Sequence, residues 1–192
     1  MVKQNKKTNK GCKKDIEPEM VDEIIEAILS ADLDYLNKIA SEYNFLSVSD
    51  YTVGMLEQNP IVHSITLGSL GFNRLSAPPA NAASIAEEFK VLKFLKEQGF
   101  DFNTPRSNDN MTILLSVIMS YAKWDGKEEY VKQLDEIVAW LLDNGASPNI
   151  DSCFFGSALH TLEGNSGNFN TEMEDACCPN MKKLYKLAKN KE

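Results

Sequence analysis

The residues best suited to acid–base or metal chemistry in this chain are two histidines and four cysteines. The histidines are His63 and His160, and the cysteines are Cys12, Cys153, Cys177 and Cys178. Zinc sites are typically built from C-x-x-C pairs combined with histidines at short spacing. Neither spacing occurs here, so the sequence predicts no metal site and no other cofactor. Reduced cysteines are typical of a cytosolic protein, and we expect free thiols even at the adjacent positions 177 and 178.

The motifs of nucleophilic catalysis and phosphate binding are missing from the sequence. There is no G-x-S-x-G or H-E-x-x-H segment, and the glycines at 164–168 are not followed by the Lys-Ser/Thr of a phosphate-binding loop. Carboxylate pairs are abundant, but a general acid and a general base need a pocket that separates their pKa values. The acidic cluster at 172–175 also lacks the ligand spacing of an EF-hand. We therefore predict a protein that is not an enzyme.

An enzyme with a site in the long loops is the alternative from a different class. Its sign would be a deep pocket that holds His63 or His160 beside a carboxylate partner. Nothing in the sequence favours it.

Charge is segregated along the chain, which carries a net charge of −8. Residues 1–14 hold six lysines and no acid, and residues 182–192 hold five lysines and one glutamate. The remaining residues 15–181 carry 9 basic and 27 acidic side chains, a net charge of −18. Such a body repels nucleic-acid phosphates and attracts a cationic surface. Plain solubility is the alternative reason for so many acids.

The length of 192 residues suits one folded domain. We expect residues 1–14 to form a disordered basic tail and residues 15–192 to form the domain. No apolar run approaches the roughly 20 residues of a membrane span, and no apolar segment follows the N-terminal lysines as in a secretory signal. We therefore expect a cytoplasmic protein without membrane contact.

Two segments of the chain repeat one pattern. Residues 91–103 read VLKFLKEQGFDFN and residues 137–149 read IVAWLLDNGASPN. At an offset of 46 positions, Gly99 aligns with Gly145, and each segment is an apolar helical stripe that stops at its glycine. Self-similarity at a fixed spacing predicts repeated helical units.

A second pair of similar segments follows at nearly the same offset. Residues 111–116 read MTILLS and residues 156–161 read GSALHT, with Thr112 and Ser157 lying 45 positions apart. Together the segments resemble the ankyrin repeat, whose unit starts a helix with T-P-L-H and ends a second helix at a G-A-D-x-N turn. The sequence at 137–149 is similar to that second-helix signature.

The resemblance implies an all-α, ankyrin-like helical repeat solenoid of about four units over residues 16–190, with insertions. It also implies a structural role for His160, whose imidazole would bond to the backbone of a neighbouring turn. A plain helical-hairpin repeat of another family is the structural alternative.

Apolar spacing and capping residues predict the individual helices. One helix opens at Pro18 and breaks at 30–32, where a second begins. Ser84 caps a long helix that ends at Gly99, a further helix covers about 111–123, and the next ends at Asp143. A last helix starts at Pro179.

Polar insertions separate the paired helices at 72–84, 124–127 and 164–178. In a stack of repeats, insertions at equivalent positions lie along one edge, where recognition loops usually sit. Tolerated drift in surface loops is the alternative explanation. An exposed Trp124 within its insertion would suit a partner contact.

The ankyrin resemblance implies binding of a protein partner through a concave face and a row of turn tips. Given the acidic body, we expect a partner with a basic surface and a chain that is monomeric when unbound. An immunity-type inhibitor of a basic toxin and a bacterial effector or adaptor acting on a host protein are the two settings considered. The predicted partner-binding residues are Asp101, Asn103, Asp109, Asn110, Trp124, Glu128, Glu129, Ser147, Asn149 and Asp151.

Overall fold

The described part of the protein is mostly helical, in agreement with the predicted all-α class. The computed structural model describes residues 13–53, 59–63, 84–106, 109–120, 128–153 and 156–162. Its α-helices are α1 (Val21–Ser30), α2 (Leu33–Glu42), α3 (Ile85–Glu97), α4 (Ile113–Ser120), α5 (Glu128–Asp143) and α6 (Ala158–Leu162). Two 3-10 helices cover Pro18–Met20 and Phe45–Asp50.

Short strand pairs, which the sequence pattern does not predict, join segments between the helices. Strand β1 (Lys14–Asp15) runs parallel to β2 (Tyr43–Asn44), and β3 (Thr52–Val53) pairs antiparallel with β4 (Asn59–Pro60). Each strand has two residues, so the pairs tie chain segments together without forming a sheet layer.

Helices α1 and α2 form a tight hairpin, as the sequence predicts. The Asp32 carboxylate accepts a hydrogen bond from the Tyr35 backbone N–H at 3.0 Å and so caps α2. The Tyr35 hydroxyl donates to a Glu23 carboxylate oxygen at 2.7 Å, which links the two helices. This hydrogen bond is the main cause that raises the pKa of Tyr35 to about 12. The inward faces bury Ile24 and Leu36 completely.

The start of α3 carries the capping arrangement that Ser84 predicts. The Ser84 hydroxyl accepts from the Glu87 backbone N–H at 3.3 Å, and the Ser84 backbone N–H donates to the Glu87 carboxylate at 2.8 Å. Hydrogen bonds from Ser84 lower the pKa of Glu87 below its usual range. The two residues thereby satisfy backbone donors that the first turn of a helix leaves open.

Helices α3 and α5 end in the same way, as the internal alignment predicts. Gly99 and Gly145 have φ values of +96° and +89°. The residue after each glycine donates to the carbonyl oxygen five positions back, at 3.2 Å to Leu95 and 2.9 Å to Leu141. This is the Schellman arrangement, which satisfies carbonyl oxygens at a helix end. Ala31 closes α1 with the same bonds at a φ of +55°.

The helices pack in a connected series around one main core. Helix α3 lies against α5, α4 lies against α5 and α6, and α1 lies against α2 and α3. Every residue of α4 is buried. Between α3 and α5, the Phe89 and Trp140 rings meet edge to face with centroids 5.5 Å apart. Both rings are half-buried against the core.

The folded part begins earlier than the predicted boundary at residue 14. Lys13 donates from its ammonium group to the Ala40 carbonyl oxygen, and Lys14 belongs to β1. The buried Ile16 donates from its backbone N–H to the Ser47 hydroxyl at 2.9 Å. Lys13 and Lys14 are therefore part of the domain, because pairing with residues about 30 positions away fixes them.

Several predicted features lie outside the described residues. They are residues 1–12 of the predicted tail, the insertions at 72–83, 124–127 and 164–178, and the helix expected from Pro179.

The left-handed helix ends give the first testable prediction. Gly145→Ala should destabilise the fold by about 1 kcal/mol, because a side chain at this φ is strained even though its Cβ would meet no atom within 4 Å. Ala31→Gly should stabilise it by less than about 1 kcal/mol, since glycine also gains freedom in the unfolded chain. Urea unfolding measures both changes. An unchanged midpoint for Gly145→Ala would contradict the assigned backbone strain.

Candidate functional site

Two loops with matching ends lie at the predicted binding edge. One loop (residues 100–112) connects α3 to α4, and the other (residues 146–157) connects α5 to α6. Each closes at a hydroxyl that accepts the backbone N–H three residues further on, at 3.2 Å for both Thr112 and Ser157. We call residues 101–106, 109–110 and 147–151 the turn edge. The matching ends explain why the similar segments recur at 45 to 46 positions.

Asn103 joins the two loops to each other. Its side-chain amide donates to the Gly145 carbonyl oxygen at 3.0 Å, and its side-chain oxygen accepts from the Ser147 backbone N–H at 2.7 Å. Asn103 is half-buried. Both of its polar atoms are therefore engaged within the protein, and its role as a partner contact stays a prediction.

Asp109 is a second predicted contact whose side chain is bonded within the protein. The residue is 7% exposed, and its carboxylate forms an ion pair with Arg106 and accepts from the Met111 backbone N–H at 3.0 Å. Its carbonyl oxygen accepts from the Cys153 backbone N–H at 2.8 Å. A carboxylate that is buried and paired in this way shapes its own loop and does not present charge to a partner.

Asn110 also connects the loops. It adopts a φ of +57° and donates from its side-chain amide to the Asp151 carbonyl oxygen. Asparagine tolerates this left-handed conformation better than most residues. Asn110 is half-buried, so it serves mainly as a second bridge beside Asn103.

Three of the predicted contacts remain exposed on the turn edge. Asp101, Asn149 and Asp151 are all exposed. The Asp101 carboxylate accepts from the Asn103 backbone N–H at 2.9 Å, which fixes its direction. The half-buried Ser147 accepts from the Asn149 backbone N–H at 3.3 Å. Two exposed acids and one exposed amide therefore lie on loops that hydrogen bonds hold to each other.

Of the contacts predicted from the insertion before α5, the structure describes the side chain of Glu129. Trp124 lies outside the described residues, as does the side chain of Glu128. Glu129 is exposed near the start of α5. With a rise of about 1.5 Å per residue, it lies roughly 20 Å from the end of the helix that leads into the turn edge.

The sequence predicts that His160 bonds to the backbone of a neighbouring turn, and in the structure His63 makes a bond of this kind. His160 is exposed, and its ring packs on Gly156, where an added Cβ would lie 2.6 Å from the ring. His63, for which the sequence indicates no partner, is buried and bonds through Nε2 to the Thr104 carbonyl oxygen at 2.8 Å. Burial lowers the pKa of His63 to about 4. A neutral, buried imidazole of this kind is suited to holding a turn and poorly suited to catalysis at pH 7.

A second acidic surface was missed by the sequence reasoning. Nine carboxylates on and around the α1–α2 hairpin are exposed, and Lys38 is the exposed basic residue within the two helices. The nine are Asp15, Glu17, Glu19, Asp22, Glu23, Glu26, Asp32, Asp34 and Glu42. We call this surface the acidic hairpin. The signal was present in the charge pattern of residues 15–42, which contains these nine acids and one lysine.

Comparisons with known proteins give no family assignment. No protein-family model matches the chain, and no curated protein matches it. Among the described residues, no group of three or more histidine, cysteine or acidic side chains is arranged to hold a metal ion. None of the described helices has the length and apolar character that crossing a membrane requires.

The bridging role of Asn103 gives the second prediction. Asn103→Ala removes two hydrogen bonds between the loops and leaves their backbone partners unsatisfied, so it should destabilise the fold by about 1 to 3 kcal/mol. Chemical denaturation followed by circular dichroism measures the change.

The matched control is Asn149→Ala at the equivalent position of the second loop. The exposed Asn149 side chain makes no hydrogen bond within the part of the chain that the structure describes. Its loss should change stability by less than about 0.5 kcal/mol. Equal effects of the two substitutions would show that Asn103 does not act as a bridge.

Proposed function

We propose that this protein is a non-catalytic protein-binding module, built as a short stack of ankyrin-like helical pairs, that binds a basic protein surface through its turn edge. One observation carries the proposal. Two loops of matching construction are fixed to each other by Asn103, and exposed Asp101, Asn149 and Asp151 lie on them.

The helix contacts support a stacked arrangement. The two helices that end at the aligned glycines, α3 and α5, lie against each other, and so do α4 and α6, which begin at the aligned hydroxyls. Equivalent elements that are neighbours in space are what a repeat stack requires, since each unit buries its apolar face against the next. The ankyrin resemblance of the sequence fits the same arrangement.

The fixed geometry of the turn edge suits recognition. Binding loses free energy when loops must be ordered on contact, so loops that are already held in place bind more tightly. Here Asn103 and Asn110 each bond to the backbone of the second loop. The exposed acids on the two loops are therefore presented in a defined arrangement before a partner arrives.

The charge of the domain indicates the class of partner. Residues 15–181 carry a net charge of −18, and nine of the exposed carboxylates that contribute to it lie on the acidic hairpin. Complementary charge speeds association and excludes partners of the wrong sign. A charge of this size favours an inhibitor of a basic protein, in the manner of an immunity protein that neutralises a toxin.

The third prediction locates the binding surface. The wild-type chain and a D101K/D151K variant are immobilised and exposed to lysate of the source cells at about 50 mM salt, where surface charges are weakly screened. Wild type should retain a protein with a basic surface, which is then purified for affinity measurement. Reversing both exposed acids should weaken its Kd on the order of tenfold or more.

A charge-matched control is D22K/E26K on the exposed face of the acidic hairpin. It makes the same change in net charge away from the turn edge, so it should slow association with little effect on dissociation. A larger loss with D22K/E26K than with D101K/D151K would move the binding surface to the acidic hairpin. Retention of no basic protein by wild type would remove the proposal.

A further inference from the structure

A direct hydrogen bond connects the buried His63 to the turn edge. His63 bonds through Nε2 to the Thr104 carbonyl oxygen at 2.8 Å, and Thr104 lies two residues before Arg106. The Arg106 backbone N–H donates to the Met111 carbonyl oxygen, and the Arg106 carbonyl oxygen accepts from the Asn110 backbone N–H, both at 3.0 Å. The Arg106 side chain forms the ion pair with Asp109. The His63 ring therefore bonds to a loop whose later part is closed on itself.

The same loop holds the second loop in place. The Asp109 carbonyl oxygen accepts from the Cys153 backbone N–H at 2.8 Å, and the Asn110 amide donates to the Asp151 carbonyl oxygen. Residues from three separate stretches of sequence, at 61–63, 100–112 and 151–153, thus meet in one network. The histidine in this network is His63, which is buried at 1% exposure.

The surroundings of His63 favour the neutral imidazole. Desolvation is the largest influence on the pKa of His63, and it outweighs the opposing effect of the hydrogen bond to the Thr104 carbonyl oxygen; the Arg106 guanidinium also opposes a second positive charge. The Asp109 carboxylate would attract an imidazolium, but it is already paired with Arg106 and bonded to the Met111 backbone. Arg106 and Asp109 are the charged groups that face the ring within the described residues.

We propose that His63 is an acid-sensitive anchor of the turn edge: when its imidazole takes up a proton, the loop at 100–112 detaches from residues 61–63 and the turn edge opens while the α1–α2 hairpin stays folded. This release does not depend on what the protein binds. Its consequence, that a partner held at the turn edge is released in acid, rests on the proposed function.

The size of the effect follows from linkage between protonation and opening. In the opened loop His63 regains the ordinary pKa of about 6.5, whereas in the closed loop the pKa is about 4. The closed form is therefore fully favoured above pH 6.5 and loses stability as the pH falls toward 4. At pH 5 the opening equilibrium should be about 20-fold larger than at pH 7.

Amide hydrogen exchange on the full chain tests the proposal. The readout is the protection factor, corrected for the intrinsic pH dependence of exchange, of the Asn110, Met111 and Cys153 amides at pH 7 and pH 5. These protection factors should fall about 20-fold in acid, while those of Leu36 and Ile39 in α2 should not change. Unchanged loop protection, or equal loss in loop and helix, would overturn the proposal.

The two histidines of the chain provide a matched pair of variants. His63→Gln keeps a side-chain donor for the Thr104 carbonyl oxygen but does not titrate, so its loop protection should be the same at both pH values. His160→Gln removes the exposed histidine and should respond to acid like wild type. Both variants keep Asp109, so an acid response that persists in His63→Gln would assign the effect to the carboxylate and reject His63.

A measurement on the wild-type chain covers the case in which His63→Gln does not fold. The imidazole signals of the two histidines are followed by NMR from pH 7.5 to about 4, together with loop exchange. Loop opening that follows protonation of the buried imidazole supports the proposal. Loop opening that precedes it, or that follows the exposed imidazole, rejects it. Neither readout uses a partner, so failure here leaves the proposed function standing, and the reverse also holds.

Discussion

A helix that is buried on every side is stable only among neighbours, and α4 is such a helix. All eight of its residues are buried, and it lies against α5 and α6. A fully buried leucine or isoleucine contributes roughly 1.5 to 3 kcal/mol through loss of contact with water. A helix pair that exposed α4 would lose that contribution, so the neighbouring helices are a condition for the fold. The positions of the loops follow from this packing.

Close packing of neighbouring helices brings their connecting loops side by side, and the polar groups of those loops then need partners. Backbone N–H and C=O groups removed from water must be hydrogen-bonded. Asn103 supplies a donor and an acceptor to the next loop, and Asn110 supplies a donor. Asp109 was predicted as a partner contact for its charge, yet Arg106 and its own loop use that charge. Polar residues suited to binding are equally suited to bridging, and sequence does not separate the two roles.

The parts of the fold that depend on local sequence were predictable, and those that depend on distant pairing were not. The helix ends at Gly99 and Gly145 and the cap at Ser84 follow from residue types within one turn of the helix. By contrast, β1 pairs with a strand about 30 residues later, and His63 bonds to a carbonyl group 41 residues away. No periodicity encodes such pairs, because their partners meet only after the helices have packed. The acidic excess follows from the sequence, but the concentration of exposed acids on the α1–α2 hairpin becomes visible only from the burial of each side chain.

The interior and the surface of this protein place opposite demands on charge. The acidic surface as a whole favours protonation of any histidine, since negative charge stabilises an imidazolium. His63 nevertheless remains neutral, because desolvation acts at contact distance whereas surface charges are screened over about 8 to 10 Å at physiological salt. The surface can therefore carry a strong negative field without disturbing the neutral hydrogen bonds that hold the loops. Under the proposed function, that separation would let one small domain attract a cationic partner from a distance and still present it with loops in a fixed arrangement.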